Sequence, residues 1–186
     1  ACVVGCGISI NDKTRKLVKD IILCKDKPIV IDADGINIIS ENIDILKTAG
    51  KNIILTPHLK EMSRLLNEDV NVIKNNKYEI AKNFACKFGI SLVLKDHETV
   101  IALSNGELYV NNIGNAGMAK AGSGDVLSGM ISSFLAQGMS IKDALLCGVY
   151  LHAKSGDNCA KKLSKVSMTP IDMINELPNV FLEINR

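Results

Sequence analysis

The chain has 186 residues, of which 47% are hydrophobic, 23% are charged and 4% are aromatic, with no tryptophan. This length fits one domain with a substantial core, and two domains would be cramped. The net charge is only +2 and aromatic stacking platforms are scarce, so neither nucleic acid nor an acidic membrane surface is an expected partner.

The cysteines at positions 2, 6, 24, 86, 147 and 159 form no C-x-x-C pair and have no suitably spaced histidines. We therefore expect buried free thiols in a reducing cytosol, and hence a cytoplasmic protein. No leader pattern or long apolar run is found, so neither secretion nor membrane insertion is expected. The chain begins inside an apparent strand without an initiator Met, which suggests that further sequence lies upstream.

Short apolar runs alternate with longer periodic segments, which predicts β-α units around a mostly parallel sheet. Strands are predicted at residues 1–4, 29–32, 52–55 and 91–94. An antiparallel hairpin is predicted at 99–103 and 107–110, around the turn dipeptide Asn105-Gly106. Helices are predicted at residues 14–24, 36–46 (broken), 73–88, 125–137, 141–158 and 169–177. In the first helix, Leu17, Val18, Ile21 and Ile22 are predicted to share one helical face.

A glycine-bearing loop, Gly5-Cys6-Gly7-Ile8-Ser9, directly follows the first strand. A dinucleotide fingerprint would need a third glycine where this chain has Ile10, and the sequence has no Gly-Lys-Ser or Gly-Lys-Thr. The loop is either a tight β-α turn or a ligand-contacting loop, because ligands bind such sheets at the carboxyl ends of the strands.

Two carboxylates and an amide follow the second strand, at Asp32, Asp34 and Asn37. Paired aspartates here are suited to holding a metal through water or to orienting a substrate. The alternative for Asp34 is a helix cap that accepts from the following amides.

The third strand is followed by Thr56-Pro57-His58, where a helix is predicted to start with His58 in its first turn. A helix N-terminus disfavours the cationic imidazole, so His58 should be a neutral hydrogen-bonding group. It is either a substrate contact or an exposed residue of a capped helix.

The fourth strand leads into Lys95, which is either a phosphate or ribose contact or a solvated turn residue. His97 is predicted to lie on the surface. His152 lies on a helix that is apolar on most faces, and it is predicted to be a core histidine with a hydrogen-bond partner.

The most informative segment is 114–125, which reads Gly-Asn-Ala-Gly-Met-Ala-Lys-Ala-Gly-Ser-Gly-Asp just before a helix. Gly122 and Gly124 let the backbone approach a ligand, and the free amides of the helix N-terminus favour a phosphate. A carboxylate beside a polyanion is repelled by it, so its presence there indicates a chemical role, such as taking a proton from a hydroxyl. The segment therefore predicts phosphoryl transfer to an alcohol, with Asp125 as the base.

At this point the sequence resembles the ribokinase-like superfamily, which places G-x-G-D at the head of a helix with the Asp as base. It is more closely similar to the ADP/ATP-dependent NAD(P)H-hydrate dehydratases. The resemblance is carried, in the family's order, by segments 30–37, 55–61, 114–125 and 148–152. It implies a three-layer α/β sandwich with a mostly parallel central sheet, and residues 1–186 as a single domain that lacks its N-terminal portion.

The resemblance also implies site residues. Asp125 is the base. The implied anion-hole and nucleotide contacts are Lys95, Asp96, His97, Glu98, Thr99, Asn115, Ala116, Gly117, Met118, Ala119, Lys120, Ala121, Gly122, Ser123 and Gly124. The implied substrate contacts are Gly7, Ser9, Asp32, Asn37, His58 and Asp125. No residue is assigned directly to a metal.

Several positions depart from the family's pattern. The early loop of the family usually reads G-P-G-x-G, whereas Cys6 and Ser9 stand here in place of the Pro and the last Gly. His58 is followed by Leu59-Lys60 rather than Pro-Gly, and Asp96 stands where a Gly follows the lysine.

The implied reaction is a repair of hydrated NADH or NADPH. Phosphorylation of the ring hydroxyl by ADP or ATP, with Mg²⁺ bridging the donor phosphates, makes a good leaving group that the ring nitrogen expels. The resemblance further implies a homo-oligomer such as a tetramer, and an epimerase that is fused or separate. The alternatives are a sugar or hydroxymethylpyrimidine-type kinase of the same fold and a nucleotide-binding regulator without catalysis.

Overall fold

The short apolar runs form a six-stranded sheet in the computed structural model, which describes residues 1–24 and 26–184. The strands are β1 (Cys2–Val4), β2 (Ile29–Ile31), β3 (Ile53–Leu55), β4 (Ser91–Leu94), β5 (Thr99–Ala102) and β6 (Leu108–Asn111). Their order in the sheet equals their order in the chain. β1 to β4 run parallel, and β5 and β6 add an antiparallel edge, as predicted.

Eight α-helices flank this sheet in the described part of the chain. They are α1 (Asp12–Ile22), α2 (Ala33–Glu41), α3 (Leu59–Leu66), α4 (Val70–Asn75), α5 (Lys77–Phe88), α6 (Ser123–Ala136), α7 (Ile141–Ser167) and α8 (Pro170–Ile184). Short 3-10 turns follow α2 at Ile43–Lys47 and precede α6 at Ala116–Met118.

Alternate strand residues divide the core into two layers, because successive side chains of a strand point to opposite faces. Ile31 and Leu55 pack with α1 to α5 on one face. Val30, Ile54 and Val93 pack with α6 and α7 on the other. The predicted three-layer sandwich with a mostly parallel sheet is therefore confirmed.

Several helix boundaries differ from the sequence predictions. The run 73–88 is two helices, because Asn76 leaves the helical region at φ −120°. The helix predicted to end near Asn158 continues to Ser167, with Ser164 at φ 70° as a break near its end. α8 continues through Pro178, although the prediction ended it at residue 177.

The buried face of α1 is formed by Val18 and Ile22, one helical turn apart, while Leu17 is exposed. All six cysteines are free as expected, but the expectation that they are buried holds for Cys159 alone: Cys24 and Cys86 are exposed, and the other three are partly buried. Across residues 1–24 and 26–184, no helix combines the length and apolar character needed to cross a membrane.

Candidate active site

The carboxyl ends of β1 to β4 lie along one edge of the sheet, and the residues that follow these strands form a surface that we call the ledge. Hydrogen bonds at this edge join the four strand ends. The Asp32 amide donates to the Val4 carbonyl at 3.1 Å, and the Lys95 amide donates to the Pro57 carbonyl at 2.8 Å. His58 and Lys95 form an isolated parallel bridge. The four strand ends that carried polar residues in the sequence thus lie side by side, as the parallel order predicts.

Asp32 is the buried centre of this ledge, with 2% of its surface exposed. Its Oδ1 accepts from the Lys95 ammonium at 2.7 Å and from the Ala33 amide at 2.9 Å. Its Oδ2 accepts from the Ser128 hydroxyl of α6 at 2.8 Å. Asp32 therefore ties the ends of β2 and β4 to the helix that follows the glycine run.

Asp32, and not Asp34, caps α2, so the capping prediction for Asp34 is wrong. The helix begins at Ala33, directly after Asp32, and this places Asp34 in its first turn. The Asp34 carboxylate instead accepts from the Ser9 amide at 2.9 Å. It thereby fixes the early loop.

The early loop lies against the start of α2. Gly5 has φ 124°, and a Cβ at this position would lie 1.8 Å from the Asp32 carbonyl oxygen. Gly7 also has a positive φ, 65°, but the space around its missing Cβ is open. Ser9 has φ 61°, a conformation that is uncommon for a residue with a side chain. The contact with Asp32 brings the β1 loop to the ledge.

Asp125 lies in the first turn of α6 and is exposed. The helix starts at Ser123, two residues before the predicted start, with Gly122 at the N-cap position in the left-handed region (φ 90°). Asp125 is therefore not the N-cap, and a capping role does not account for it. A first-turn carboxylate is still favoured by the helix dipole.

The start of α6 approaches Asp32 and Lys95 closely. A Cβ at Gly124 would lie 3.2 Å from Lys95 Nζ and 3.4 Å from Asp32 Oδ2. Within the described residues, the backbone amides of Gly122 and Gly124 have no acceptor, whereas the Ser123 amide donates to the Lys120 carbonyl at 3.2 Å. Two of the three amides predicted for the anion hole are thus available to a ligand.

The thiol of Cys6 completes this cluster. Its Sγ and carboxylate oxygens of Asp32 and Asp125 all lie within 4.8 Å of one another. Burial, then the hydrogen bond to Asp125 and the charge of Asp32, raise the pKa of Cys6 to about 12. The thiol therefore keeps its proton at neutral pH.

These three groups do not fit a Mg²⁺ site. Mg²⁺ prefers an octahedron of oxygen ligands, and the protonated thiol of Cys6 offers none. Both Asp32 oxygens are already used, one of them by the Lys95 ammonium, which would repel a cation.

The glycine run is held by side chains far along the chain. Asp157 of α7 accepts from the Gly114 amide at 3.0 Å and from the Asn115 side chain at 2.9 Å. The Lys120 ammonium donates to the carbonyls of Val166 and Met168 at 2.6 and 2.5 Å. Lys120, predicted as a nucleotide contact, is thus engaged at the end of α7, and Asp157 was not predicted at all.

The remaining residues of the glycine run differ in their exposure to solvent. Gly117 is buried, and its amide donates to the Asn115 carboxamide at 2.9 Å. Met118 packs against Gly114 and Gly156. Ala116, Ala119 and Ala121 are exposed and are accessible to a ligand.

The turn after β4 depends on a buried lysine that the sequence analysis missed. Lys77 forms ion pairs with Asp96 at 3.2 Å and with Glu98 at 3.1 Å. Hydrogen bonds from Tyr78 and then from Lys77 lower the pKa of Glu98. A lysine at the start of a helix gives no local signal that it will be buried.

The other two residues of this turn, His97 and Thr99, both contact Asp96. The His97 side chain is 69% exposed, as predicted, and its Nδ1 lies 3.1 Å from Asp96. Thr99 begins β5, and its hydroxyl donates to the Asp96 carbonyl at 3.4 Å.

His58 is the N-cap of α3, one residue before the helix rather than in its first turn. Its Nδ1 accepts from the Glu61 amide at 3.1 Å, and Glu61 accepts from the His58 amide at 2.8 Å. Since Nδ1 accepts, the ring proton of a neutral imidazole lies on Nε2. His58 therefore fits the predicted role of a hydrogen-bonding group, and 48% of its side chain is exposed.

Asn37 lies one turn into α2, where its carboxamide oxygen accepts from Arg64 of α3 at 2.9 Å. This bond ties α2 to α3. No contact among the described residues brings Asn37 to Asp125.

His152 is buried and has a partner, as predicted. Its Nε2 lies 2.9 Å from the Ser123 carbonyl oxygen and 3.3 Å from the Ser123 hydroxyl. Burial lowers its pKa to about 4, so the ring is neutral at physiological pH. His152 thereby connects α7 to the first turn of α6.

A cavity of about 460 Å³ lies away from this ledge, between α1, α2 and the 3-10 turn that follows α2. Its lining includes Val18, Ile22, Ile39 and Ile45. None of the predicted site residues lines it.

The sequence profile of the NAD(P)H-hydrate dehydratase family matches residues 1–179. An ADP-dependent (S)-NAD(P)H-hydrate dehydratase from Neisseria meningitidis is 41% identical over 160 residues, which cover 84% of this chain and 54% of that protein. A bifunctional NAD(P)H-hydrate repair enzyme from Dictyoglomus turgidum is 36% identical over 186 residues, 100% of this chain and 36% of that protein. The chain thus spans between about a third and about half of the length of these relatives.

A solved structure of similar fold is the ADP/ATP-dependent NAD(P)H-hydrate dehydratase from Bacillus subtilis, co-crystallized with ATP/Mg²⁺. The TM-score is 0.85 at 30% sequence identity, and the match covers 97% of this chain and 63% of that chain.

Proposed function

Because the chain belongs to the NAD(P)H-hydrate dehydratase family, we propose that it dehydrates hydrated NADH and NADPH with ADP or ATP as phosphoryl donor. The fold is ribokinase-like, and residues 1–186 form one such domain. The observation that carries the proposal is the placement of the Asp125 carboxylate beside the unpaired amides of Gly122 and Gly124 at the start of α6.

In the proposed reaction, Asp125 accepts the proton of the ring hydroxyl as that oxygen attacks the terminal phosphorus of the nucleotide. The P–O bond to the rest of the nucleotide breaks, and the ring carries a phosphate ester. The ring nitrogen then donates its electron pair, the C–O bond breaks, and inorganic phosphate departs, leaving a ring iminium ion. Loss of a proton from the ring carbon next to the former C–O carbon, to the departing phosphate or to water, forms the C=C bond and restores the dihydronicotinamide. Each oriented amide at such a site lowers the barrier by roughly 3 kcal/mol, and a positioned base raises the rate by a factor of about a hundred or more.

Lys95 and Asp32 support this arrangement electrostatically. The Lys95 ammonium lies beside Gly124 and offers positive charge to the transferred phosphoryl group. Asp32 holds that ammonium at 2.7 Å and is itself held by Ser128. Asp32 is thus a positioning residue for Lys95, while the more exposed Asp125 is free to meet the substrate.

The other assignments rest on the family resemblance. It places Gly7, Ser9, Asn37 and His58 on the substrate side, and the turn at 95–99 and the run at 115–124 on the nucleotide side. Mg²⁺ would be bound by the phosphate oxygens of the donor, since the cluster of Cys6, Asp32 and Asp125 does not fit it.

We further propose a homo-oligomer, a tetramer in particular, in the cytoplasm. The apolar residues Ile171, Ile174, Phe181 and Leu182 are exposed on α8 and support self-association. The six free thiols support a reducing compartment. The bifunctional relative supports an epimerase partner, fused or separate. Light scattering on the purified protein tests the oligomeric state.

The decisive experiment is Asp125→Asn. Hydrated NADPH is incubated with ADP or ATP and Mg²⁺, and the return of dihydronicotinamide absorbance is followed. We expect turnover to fall by a factor of about a hundred or more, with nucleotide affinity retained, because the amide keeps the shape and loses the base.

Asp12→Asn is the matched control, since Asp12 is also a first-turn carboxylate, on the exposed surface of α1. It should leave turnover unchanged. Equal activity of Asp125→Asn and Asp12→Asn would exclude Asp125 as the base. A stable phosphorylated alcohol in place of restored NADPH would indicate the kinase alternative.

A further inference from the structure

Cys6 is the residue at which the early loop departs most clearly from the family's pattern, with a thiol in place of a proline. Its two neighbours, Gly5 and Gly7, both have positive φ, and Gly5 is held against the Asp32 carbonyl. The Ser9 amide donates to Asp34 at 2.9 Å, so the loop is held on both sides of Cys6.

The two carboxylates near the thiol differ in their partners. Asp32 is buried and accepts from Lys95, Ser128 and the Ala33 amide. Asp125 is exposed, and one of its carboxylate oxygens lies within 4.8 Å of Cys6 Sγ. Among residues 1–24 and 26–184, no other side chain hydrogen-bonds this carboxylate. The thiol proton thus has an acceptor that other side chains have not taken.

The electrostatics of the thiol support the role of a donor rather than of a nucleophile. The charged groups that face Cys6 are Asp125 and Asp32, which favour the protonated thiol, and Lys95, which opposes them. Together with burial they raise the pKa of Cys6 to about 12. A thiolate, by contrast, is the reactive form of cysteine.

We propose that Cys6 is a positioning residue for the base: its S–H donates to the Asp125 carboxylate and holds it over the amides of Gly122 and Gly124. Its catalytic consequence rests on the proposed function, but the contact itself does not. The contact is therefore tested separately from turnover.

The contact is tested by measuring the reactivity of the Cys6 thiol. If the Asp125 charge stabilises the protonated thiol, Asp125→Asn must increase the thiolate fraction and the rate of alkylation by iodoacetamide. A Cys2→Ala background leaves Cys6 as the only cysteine in the tryptic peptide 1–13, and mass spectrometry then gives its rate directly.

Each tenfold rise in thiolate fraction should raise the alkylation rate about threefold, because nucleophilicity falls as basicity falls. We therefore expect alkylation of Cys6 to be roughly threefold faster or more in Asp125→Asn and unchanged in Asp12→Asn. The exposed Cys86 is the internal reference, and an equal rate there shows that the fold is intact. An unchanged Cys6 rate in Asp125→Asn would overturn the proposal.

The effect of the contact on turnover is measured with the variants Cys6→Ala and Cys6→Ser. Alanine removes the donor, so kcat should fall by about tenfold with little change in the KM for nucleotide, a loss on the scale of one hydrogen bond to a charged group. Serine supplies an O–H and should restore most of the rate. Cys24→Ala, at an exposed thiol, is the control.

A purely space-filling role predicts a different pattern, in which serine and alanine behave alike, and that result would also overturn the proposal. The double variant Cys6→Ala/Asp125→Asn should be no slower than Asp125→Asn, because the positioned group is already absent. If the wild type shows no turnover of hydrated NADPH, the proposed function fails, while the alkylation result still decides the contact.

Discussion

The ion pair between Asp32 and Lys95 makes a strong prediction about stability. Lys95→Met keeps the length of the side chain and removes the cation 2.7 Å from a carboxylate that is 2% exposed. Breaking a buried pair by removing one partner costs roughly 3–5 kcal/mol. Asp32 retains two hydrogen bonds and Lys95 is 20% exposed, so we expect a loss near the lower end, about 3 kcal/mol.

Urea denaturation of four proteins measures this loss: wild type, Lys95→Met, Asp32→Asn and the double variant. The double variant no longer contains a buried unpaired charge, so it should be more stable than the sum of the single losses implies, by at least about 1 kcal/mol. Lys16→Met is the control, because it removes an exposed pair with Asp20 and should cost less than about 1 kcal/mol. Equal losses for Lys95→Met and Lys16→Met, or strict additivity in the cycle, would refute the reasoning.

Two further predictions concern the supports of the site. Gly5→Ala places a Cβ 1.8 Å from the Asp32 carbonyl and should lower the free energy of unfolding by more than about 3 kcal/mol. Gly7→Ala has open space around the new Cβ and should lower it by only about 1–2 kcal/mol, the cost of the left-handed backbone. Equal urea midpoints for the two variants would contradict this. Burial lowers the pKa of His152 from 6.5 to about 4. As the pH falls from 6.5 to about 4, the unfolded chain therefore binds a proton at His152 that the folded chain does not. The free energy of unfolding should fall over this range by about 3 kcal/mol in total. His152→Gln should remove that part of the pH dependence, as measured by urea denaturation between these pH values, and an unchanged slope would count against it.

The parts of the site that the sequence predicted are those with a local signal. Asp32, Lys95 and Asp125 each follow a strand or open a helix, and the parallel order of β1 to β4 places those positions at one edge of the sheet. The positions were therefore predictable, although the ion pair between Asp32 and Lys95 was not.

The supports that were missed have partners distant in sequence. Lys77 pairs with a carboxylate 19 positions away, and Asp157 accepts from an amide 43 positions away. Lys120 was assigned to the nucleotide through the family resemblance. Its ammonium instead satisfies carbonyls at the end of α7, and that end was itself predicted too early.

The order of the strands in the sheet also affects how the site can vary. Since each of the first four strands lies beside its neighbour in the chain, every wall of the ledge is contributed by a separate loop between consecutive strands and helices. One such loop can be rewritten during evolution while the others retain their backbone frame. The departures from the family's pattern are instances of this modularity: Cys6, Leu59-Lys60 and Asp96 follow three different strands, and each changes the chemistry of its own segment on the same scaffold.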